Sequence, residues 1–342
     1  MSEALHYYSP DLDREYRALR HSAALIDLGF RSRLCLLGAD ARRFLNGQVT
    51  NNVKDLAVGQ GCYAALVSAK GKMDSDVYIY RLENEILLDF ERGLADAVKQ
   101  RLEKFVIAED VQIVDVAPLY ALLRIQGPKA ADALAQIPWL HDSIPAPQSN
   151  QIKPIRHQEA DFYLAAPSPS PAPAFDLFIP AALLEATQQA LATAIPEHAG
   201  WQALETVRLE STMPRFGLDM DQSTLPPEAG LETRAISYAK GCYIGQEVIS
   251  RIRTYGQVAR ALRGLKVPGA PQPPEPGAKI FHLDKEVGRV TSAAFSPLCQ
   301  MPIALATIRR EANALGTQLT VEHNGARLPA TVATQPFDPF TP

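Results

Sequence analysis

Four cysteines in 342 residues, Cys35, Cys62, Cys242 and Cys299, stand far apart and form no C-x-x-C pair. That absence argues against a structural zinc site, an iron–sulfur ligand set and a disulfide framework. The seven histidines, His6, His21, His141, His157, His198, His282 and His323, are equally dispersed, so no metal centre is expected. No stretch reaches the roughly 18 consecutive apolar residues of a membrane-spanning helix. The opening residues carry charge from Glu3 onward and lack an uninterrupted apolar core, so no secretory leader is expected and the chain reads as cytoplasmic. Positive charge is not in excess either. With 34 basic residues against 38 acidic ones, the net charge of −4 gives no general attraction to nucleic acid or anionic membranes. A small anionic ligand would need a local basic pocket.

What is present is the composition of a folded protein, 46% hydrophobic and 21% charged. Its length exceeds the ~250 residues at which single cores stop growing, which predicts two or three domains. Helical spacing runs over Glu15 to Leu28, and Arg33 to Leu37 reads as a strand. Asp40 is placed to cap a helix over Ala41 to Asn46. Strands are predicted at Cys62 to Ser68, Asp76 to Arg81, Glu85 to Phe90, Val111 to Val116 and Tyr120 to Gln126. Helices are predicted at Leu94 to Phe105, Lys129 to Gln136, Ala181 to Ala194 and Gly200 to Ser211. The mixture has no regular βαβ rhythm, which favours α+β over a doubly wound sheet. Proline and serine crowd Pro145 to Pro173, so that segment reads as an exposed loop. After Pro214 the chain reads as loop, and beyond the prolines of Pro268 to Pro276 short strands punctuated by glycine predict a small β barrel or sandwich. The expected division is 1–256, two interleaved α+β subdomains, and 257–342, a C-terminal β-barrel domain.

Within the loop-like region stands Lys240-Gly241-Cys242-Tyr243-Ile244-Gly245-Gln246-Glu247. Glycines on either side of Cys242 and Tyr243 permit a tight turn that presents a thiol. Lys240 or Arg251, if close in space, would favour the thiolate over its usual pKa of ~8.5, and Glu247 would oppose this. The alternative is that Cys242 is a small packing side chain, as unpaired cysteines often are.

The run KGCYIGQE resembles the signature of the YgfZ family, which shares its fold with the aminomethyltransferase (T-protein) of the glycine cleavage system. The resemblance extends to FLNGQVTNN from Phe44, GKM from Gly71, RLESTMPRFGLDMD from Arg208, and GRVTSAAFSPLCQMPIALATI from Gly288. It implies a T-protein-like multi-domain α+β fold with tetrahydrofolate or a one-carbon derivative in a central hole. It further implies a role, with Cys242 as functional thiol, in keeping iron–sulfur enzymes active and in thiomethyl modification of transfer RNA. The partners it implies are folate and iron–sulfur enzymes or assembly proteins.

A reduced folate offers a pterin edge that a buried carboxylate binds bidentately and a glutamate tail that needs cations. Glu210 is aligned with the pterin-contacting glutamate of the T-protein pattern R-x-E, and Glu228 in the Pro-Glu-Ala loop is the second choice. Either would otherwise be an ordinary solvated glutamate. Lys240, Arg251, Arg253 and Arg260 supply basic groups for the tail, or form an exposed basic face. Tyr63, Tyr78 and Phe90 offer an apolar wall for the pterin, or simply core. T-proteins carry an Asp-Asp pair after a glycine-rich turn. Here Ser75 takes the first position, Asp76 keeps the second, and Asp74 is expected on the opposite face of the strand. The broken pair argues against aminomethyl transfer, the chief rival function. A folate-binding module without thiol chemistry is the other.

Overall fold

A computed structural model describes residues 11–333 and 336–337. Glu3 and His6, read above as evidence against a leader and a metal site, lie outside the described residues. By compactness the chain forms two units. The first comprises residues 1–69, 74–203 and 234–246, and the second 70–73, 204–233 and 247–342.

In the first unit, α1 (Leu12–His21) starts where the Asp11 carboxylate accepts from the Arg14 amide at 3.3 Å, with Asp13 and Glu15 in the first turn and Arg20 and His21 in the last. The helix does not continue to Leu28 as its spacing predicts. Ala24–Asp27 is instead strand β1, paired antiparallel from Ala24↔Gln126 to Asp27↔Leu123. Tertiary pairing overrides the local period there. Next come β2 (Ser32–Leu37), α2 (Ala41–Gln48), β3 (Gly61–Val67), β4 (Met73–Arg81), β5 (Glu85–Phe90), α3 (Ala95–Glu103), β6 (Gln112–Asp115), β7 (Tyr120–Gln126) and α4 (Ala130–Ala135). Asp40 precedes α2 without capping it. Its carboxylate accepts from the Asp110 amide at 3.0 Å and from Arg43 at 3.1 Å, while the Ala39 amide donates to Asp110 at 3.0 Å. A reciprocal clasp between two loops has taken the capping carboxylate.

The proline-dense segment is not an exposed loop. It contains β8 (Ile152–His157) and β9 (Ala160–Ala165), with Phe162, Leu164 and Ala166 fully buried. Gln158 and Glu159 make the hairpin turn at positive φ. Pro154 is tolerated because β8 is an edge strand. Even Pro167 to Pro173 is half-buried or buried, with the Pro169 carbonyl accepting from Tyr78 at 2.6 Å. β10 (Ala174–Pro180) and α5 (Leu184–Ala192) follow, the latter preceded by a 3₁₀ turn at Ala181–Leu183.

These strands form two five-stranded sheets, one in the order β1-β7-β10-β9-β8, the other β3-β4-β5-β2-β6. Each buries one face under helices and loops. Leu123, Ile125, Phe175 and Leu177 make one core, and Leu34, Leu36, Val77, Ile79 and Leu88 the other. Period two then dictates what the remaining faces carry. Arg124, Gln126 and Asp176 lie on the first sheet, and Arg33, Asp76, Tyr78, Tyr80 and Asp89 on the second.

The second unit is built on α6 (Trp201–Glu210) from Leu204 onward, with α7 (Glu232–Ala235) straddling its boundary, on α8 (Gln246–Tyr255) from Glu247 onward and on six strands: β11 (Arg260–Lys266), β12 (Lys279–His282), β13 (Lys285–Ser296), β14 (Met301–Arg309), β15 (Gln318–His323) and β16 (Ala326–Val332). Helix α8, which begins on the last two residues of the cysteine motif, differs from the expected loop, since Val248, Ile249 and Ile252 mark too short a stripe. The strands close into an antiparallel barrel in the order β11-β14-β13-β12-β15-β16, around Leu265, Ile280, Val290, Ala306, Val321 and Val332. At Gly288 a Cβ would fall 2.2 Å from the Thr307 carbonyl oxygen, so β13 crosses β14 there only without a side chain. All barrel strands lie beyond Gly256, while the compact unit also takes in 70–73 and 204–233.

Candidate functional site

The polar faces of the two sheets in the first unit look toward each other. Arg33, Asp89 and Tyr78 form one cross-strand row. The charges of Arg124 and Asp176 from the other sheet act on Tyr78 and Tyr80. Arg31 binds Asp89 at 2.9 Å and Glu91 at 3.1 Å, and Arg124 binds Asp176 through two parallel bonds of 2.7 and 2.8 Å. Such bidentate pairing is what makes buried charges tolerable.

Asp76 enters this layer from β4. One carboxylate oxygen accepts from Tyr63 at 2.6 Å, and the other has no hydrogen-bond partner. Burial, reinforced by Glu91, pushes its pKa up to about 6 against the opposing pull of Tyr63 and Arg31. Tyr63 and Tyr78 lie with ring centroids 5.0 Å apart beside it, whereas Phe90 belongs to the apolar core. The expected opposition of Asp74 and Asp76 is reversed. Met73, Ser75, Val77 and Ile79 face the core, and Asp74, Asp76 and Tyr78 the other side. Asp74 is engaged by Arg101 at 2.8 Å, and Ser75 is fully buried. Serine at 75 therefore takes nothing from the face on which Asp76 stands.

Among the described residues further polar atoms in the layer are buried without partners: the Tyr80 hydroxyl, both amide atoms of Gln126, and Nε and Nη1 of Arg33. Unanswered polar atoms at this density are costly unless something answers them. Arg31, Arg124, Gln126 and Asp176 escaped the sequence reading. For Arg124, Gln126 and Asp176 the signal was a polar residue within an apolar strand, as in Leu122-Leu123-Arg124-Ile125-Gln126, whereas Arg31 lies in the loop before β2.

Cys242 is exposed, which excludes the packing role. Lys240, expected as an activating or tail-binding cation, is engaged by backbone carbonyls. Its ammonium is buried and gives all three protons to the carbonyls of Asn46, Val49 and Asn51. Burial also pushes its pKa down to about 8. Arg251 sits on an exposed helix face paired with Glu247 at 2.9 Å.

In the second unit Glu210 is fully buried at the end of α6, where it accepts from the Ser296 hydroxyl at 2.6 Å. Glu228 is also buried. It accepts from the Leu225 amide at 2.9 Å and lies 3.4 Å from Arg260 and 3.8 Å from Lys72. Both carboxylates have protein partners, and Arg260 is committed to Glu228 and to Ser223 at 3.0 Å. The described residues contain no group of three or more acidic, histidine or cysteine side chains able to hold a metal.

The geometry meets a known architecture. Residues 3–240 match the family described as GCVT N-terminal domain. The chain belongs to the glycine cleavage T-protein family. Residues 260–338 match the glycine cleavage T-protein C-terminal barrel domain. Among similar proteins are the aminomethyltransferase of Shouchella clausii, 29% identical over 95% of this chain and 89% of the relative. That of Saccharopolyspora erythraea is 30% identical over 94% and 89%. The solved aminomethyltransferase T of the Bartonella henselae glycine cleavage system superposes with a TM-score of 0.86 at 23% identity, covering 96% of this chain and 90% of that one, a likeness of fold.

Proposed function

We propose that this protein binds a reduced folate, tetrahydrofolate or a one-carbon derivative, and that with Cys242 as its functional thiol it helps to keep iron–sulfur enzymes active and supports thiomethyl modification of transfer RNA. The observation that carries the folate half is the unanswered polar layer around Asp76. A pterin edge presents donors suited to the free Asp76 oxygen and an oxygen suited to the Gln126 amide or the Arg33 guanidinium. Tyr63 and Tyr78 would flank the ring system. The KGCYIGQE sequence, with its exposed thiol, supports the second half. A surface thiol kept on a fixed turn suits exchange with a macromolecular partner.

A second reading, folate-dependent aminomethyl transfer, is favoured by one specific observation. Asp76, with a pKa near 6, is a carboxylate able to hold or release a proton near neutrality, and the missing aspartate at 75 lies on the other face. Titration calorimetry with tetrahydrofolate tests what the two readings share. The expected result is one site whose affinity falls in Asp76→Asn by about 10- to 150-fold, the loss of a charged hydrogen bond. Absence of binding to the wild type would overturn both readings. Assaying the same preparation for aminomethyl transfer separates them.

A further inference from the structure

Helix α2 ends at Gln48, leaving its last carbonyls without intrahelical acceptor duty and its negative pole toward the following loop. The cation that answers them comes from 194 residues further along the chain. Lys240 Nζ donates to the carbonyls of Asn46 at 2.5 Å, Val49 at 2.7 Å and Asn51 at 2.8 Å, and it lies 4.9 Å from the centre of the Tyr243 ring. Three donors meet three acceptors, so the ammonium is saturated. The same two segments are tied at other points. The Ile244 amide donates to the Gly47 carbonyl at 3.2 Å, the Ser237 amide to Thr50 at 3.0 Å, and the Thr50 hydroxyl to the Ala235 carbonyl at 2.6 Å. Between these ties the chain bulges outward. Cys242 is exposed, a Cβ at Gly241 would meet nothing within 4 Å, and Gly245 closes the turn at φ 80°. Cys62 is the other titratable group acting on Lys240, and Tyr238 acts on Tyr243.

We infer that Lys240 is a positioning residue that caps the C-terminal end of α2 and thereby fixes the turn presenting Cys242 to solvent, so that FLNGQVTNN and KGCYIG work as one element. This deepens the reading of Cys242 as the functional thiol and rests on it for its consequence in cells. The cage itself stands on the hydrogen bonds. Methionine at 240 keeps the apolar stem but leaves three buried carbonyls unanswered, whereas arginine keeps a cation that reaches some of them.

The test compares wild type, Lys240→Met and Lys240→Arg as full chains. It follows hydrogen exchange of the Ile244 amide and alkylation of Cys242 by iodoacetamide, read by mass spectrometry of its peptide. Lys240→Met is expected to exchange at Ile244 about tenfold faster or more and to shift the Cys242 alkylation rate, with Lys240→Arg restoring part of both. Unchanged exchange and alkylation in Lys240→Met would overturn the inference. Should that variant fail to fold, acetic anhydride labelling of the wild type decides: Lys240 is expected to react at least about tenfold slower than exposed lysines such as Lys285, and equal rates would overturn the cage. If Lys240→Met loosens the turn yet sustains iron–sulfur enzyme activity in cells, the cage stands and its consequence for the function of Cys242 is overturned.

Discussion

Asp76 is poised between two demands. Its folded pKa of about 6 lies above the ordinary value of 3.8, so the folded state holds its proton more tightly than the unfolded chain does. Stability from this group is therefore fully present below pH 3.8 and is lost as pH rises through 6, leaving a penalty on the order of 3 kcal/mol above that window. Asp76→Asn removes the charge, and denaturant unfolding at pH 7.5 is expected to find the variant more stable than wild type, while its stability gain vanishes near pH 4. Folate binding should move the other way. Calorimetry is expected to show affinity rising with pH through about 6 in wild type and flat in Asp76→Asn. A variant both less stable and equally tight-binding would contradict this account. Glu210 makes a different prediction, because its partner is Ser296 and its burial is complete. Glu210→Ala strands that hydroxyl and is expected to cost about 1–3 kcal/mol in unfolding experiments whether or not folate is present. If Glu210 also contacts the pterin, as the R-x-E pattern implies, the cost grows at saturating folate.

At the scale of elements, the last turn of α6 is fastened to β13 by a buried polar network. Asp219 accepts from Arg208 at 2.7 Å, from Thr291 at 2.5 Å, from Ser292, and from the Arg215 amide at 3.1 Å. Arg208 also binds Glu205 at 2.9 Å. Asp219→Ala leaves a buried guanidinium with half its compensation, and a loss of about 3 kcal/mol is expected in denaturant unfolding. A loss below about 0.5 kcal/mol, the range of surface changes, would show that the network is dispensable. Elements of this kind were only partly visible in the sequence. Strands with clean alternation and turn residues at both ends, such as Tyr120 to Gln126, were placed to the residue. The barrel announced itself through its glycines. Ala24 to Asp27 was read as helix because nothing local reveals a pairing partner a hundred residues away. The β8–β9 hairpin was hidden by prolines that an edge strand accommodates. The cage around Lys240 had no signal at all, since its acceptors are backbone carbonyls, which every residue carries.

For the whole molecule, the family relation spans both the sheet-bearing region and the barrel, and among the described residues no helix is long and apolar enough to cross a membrane. The fold was legible because whole motifs matched. The carboxylate best placed for the proposed pterin was not legible, because R-x-E points to Glu210 while the unpartnered carboxylate oxygen belongs to Asp76. The division of labour proposed here, folate in the interior layer and a functional thiol on the exposed turn, requires the two to separate under mutation. Cys242→Ser changes one exposed atom and is expected to melt and bind tetrahydrofolate like wild type. The decisive measurement is the activity of an iron–sulfur enzyme in cells lacking this protein and supplied with either the wild type or Cys242→Ser at equal abundance. Restoration by the wild type and failure of Cys242→Ser is the result this account requires. Full restoration by Cys242→Ser would contradict it and leave folate binding as the function.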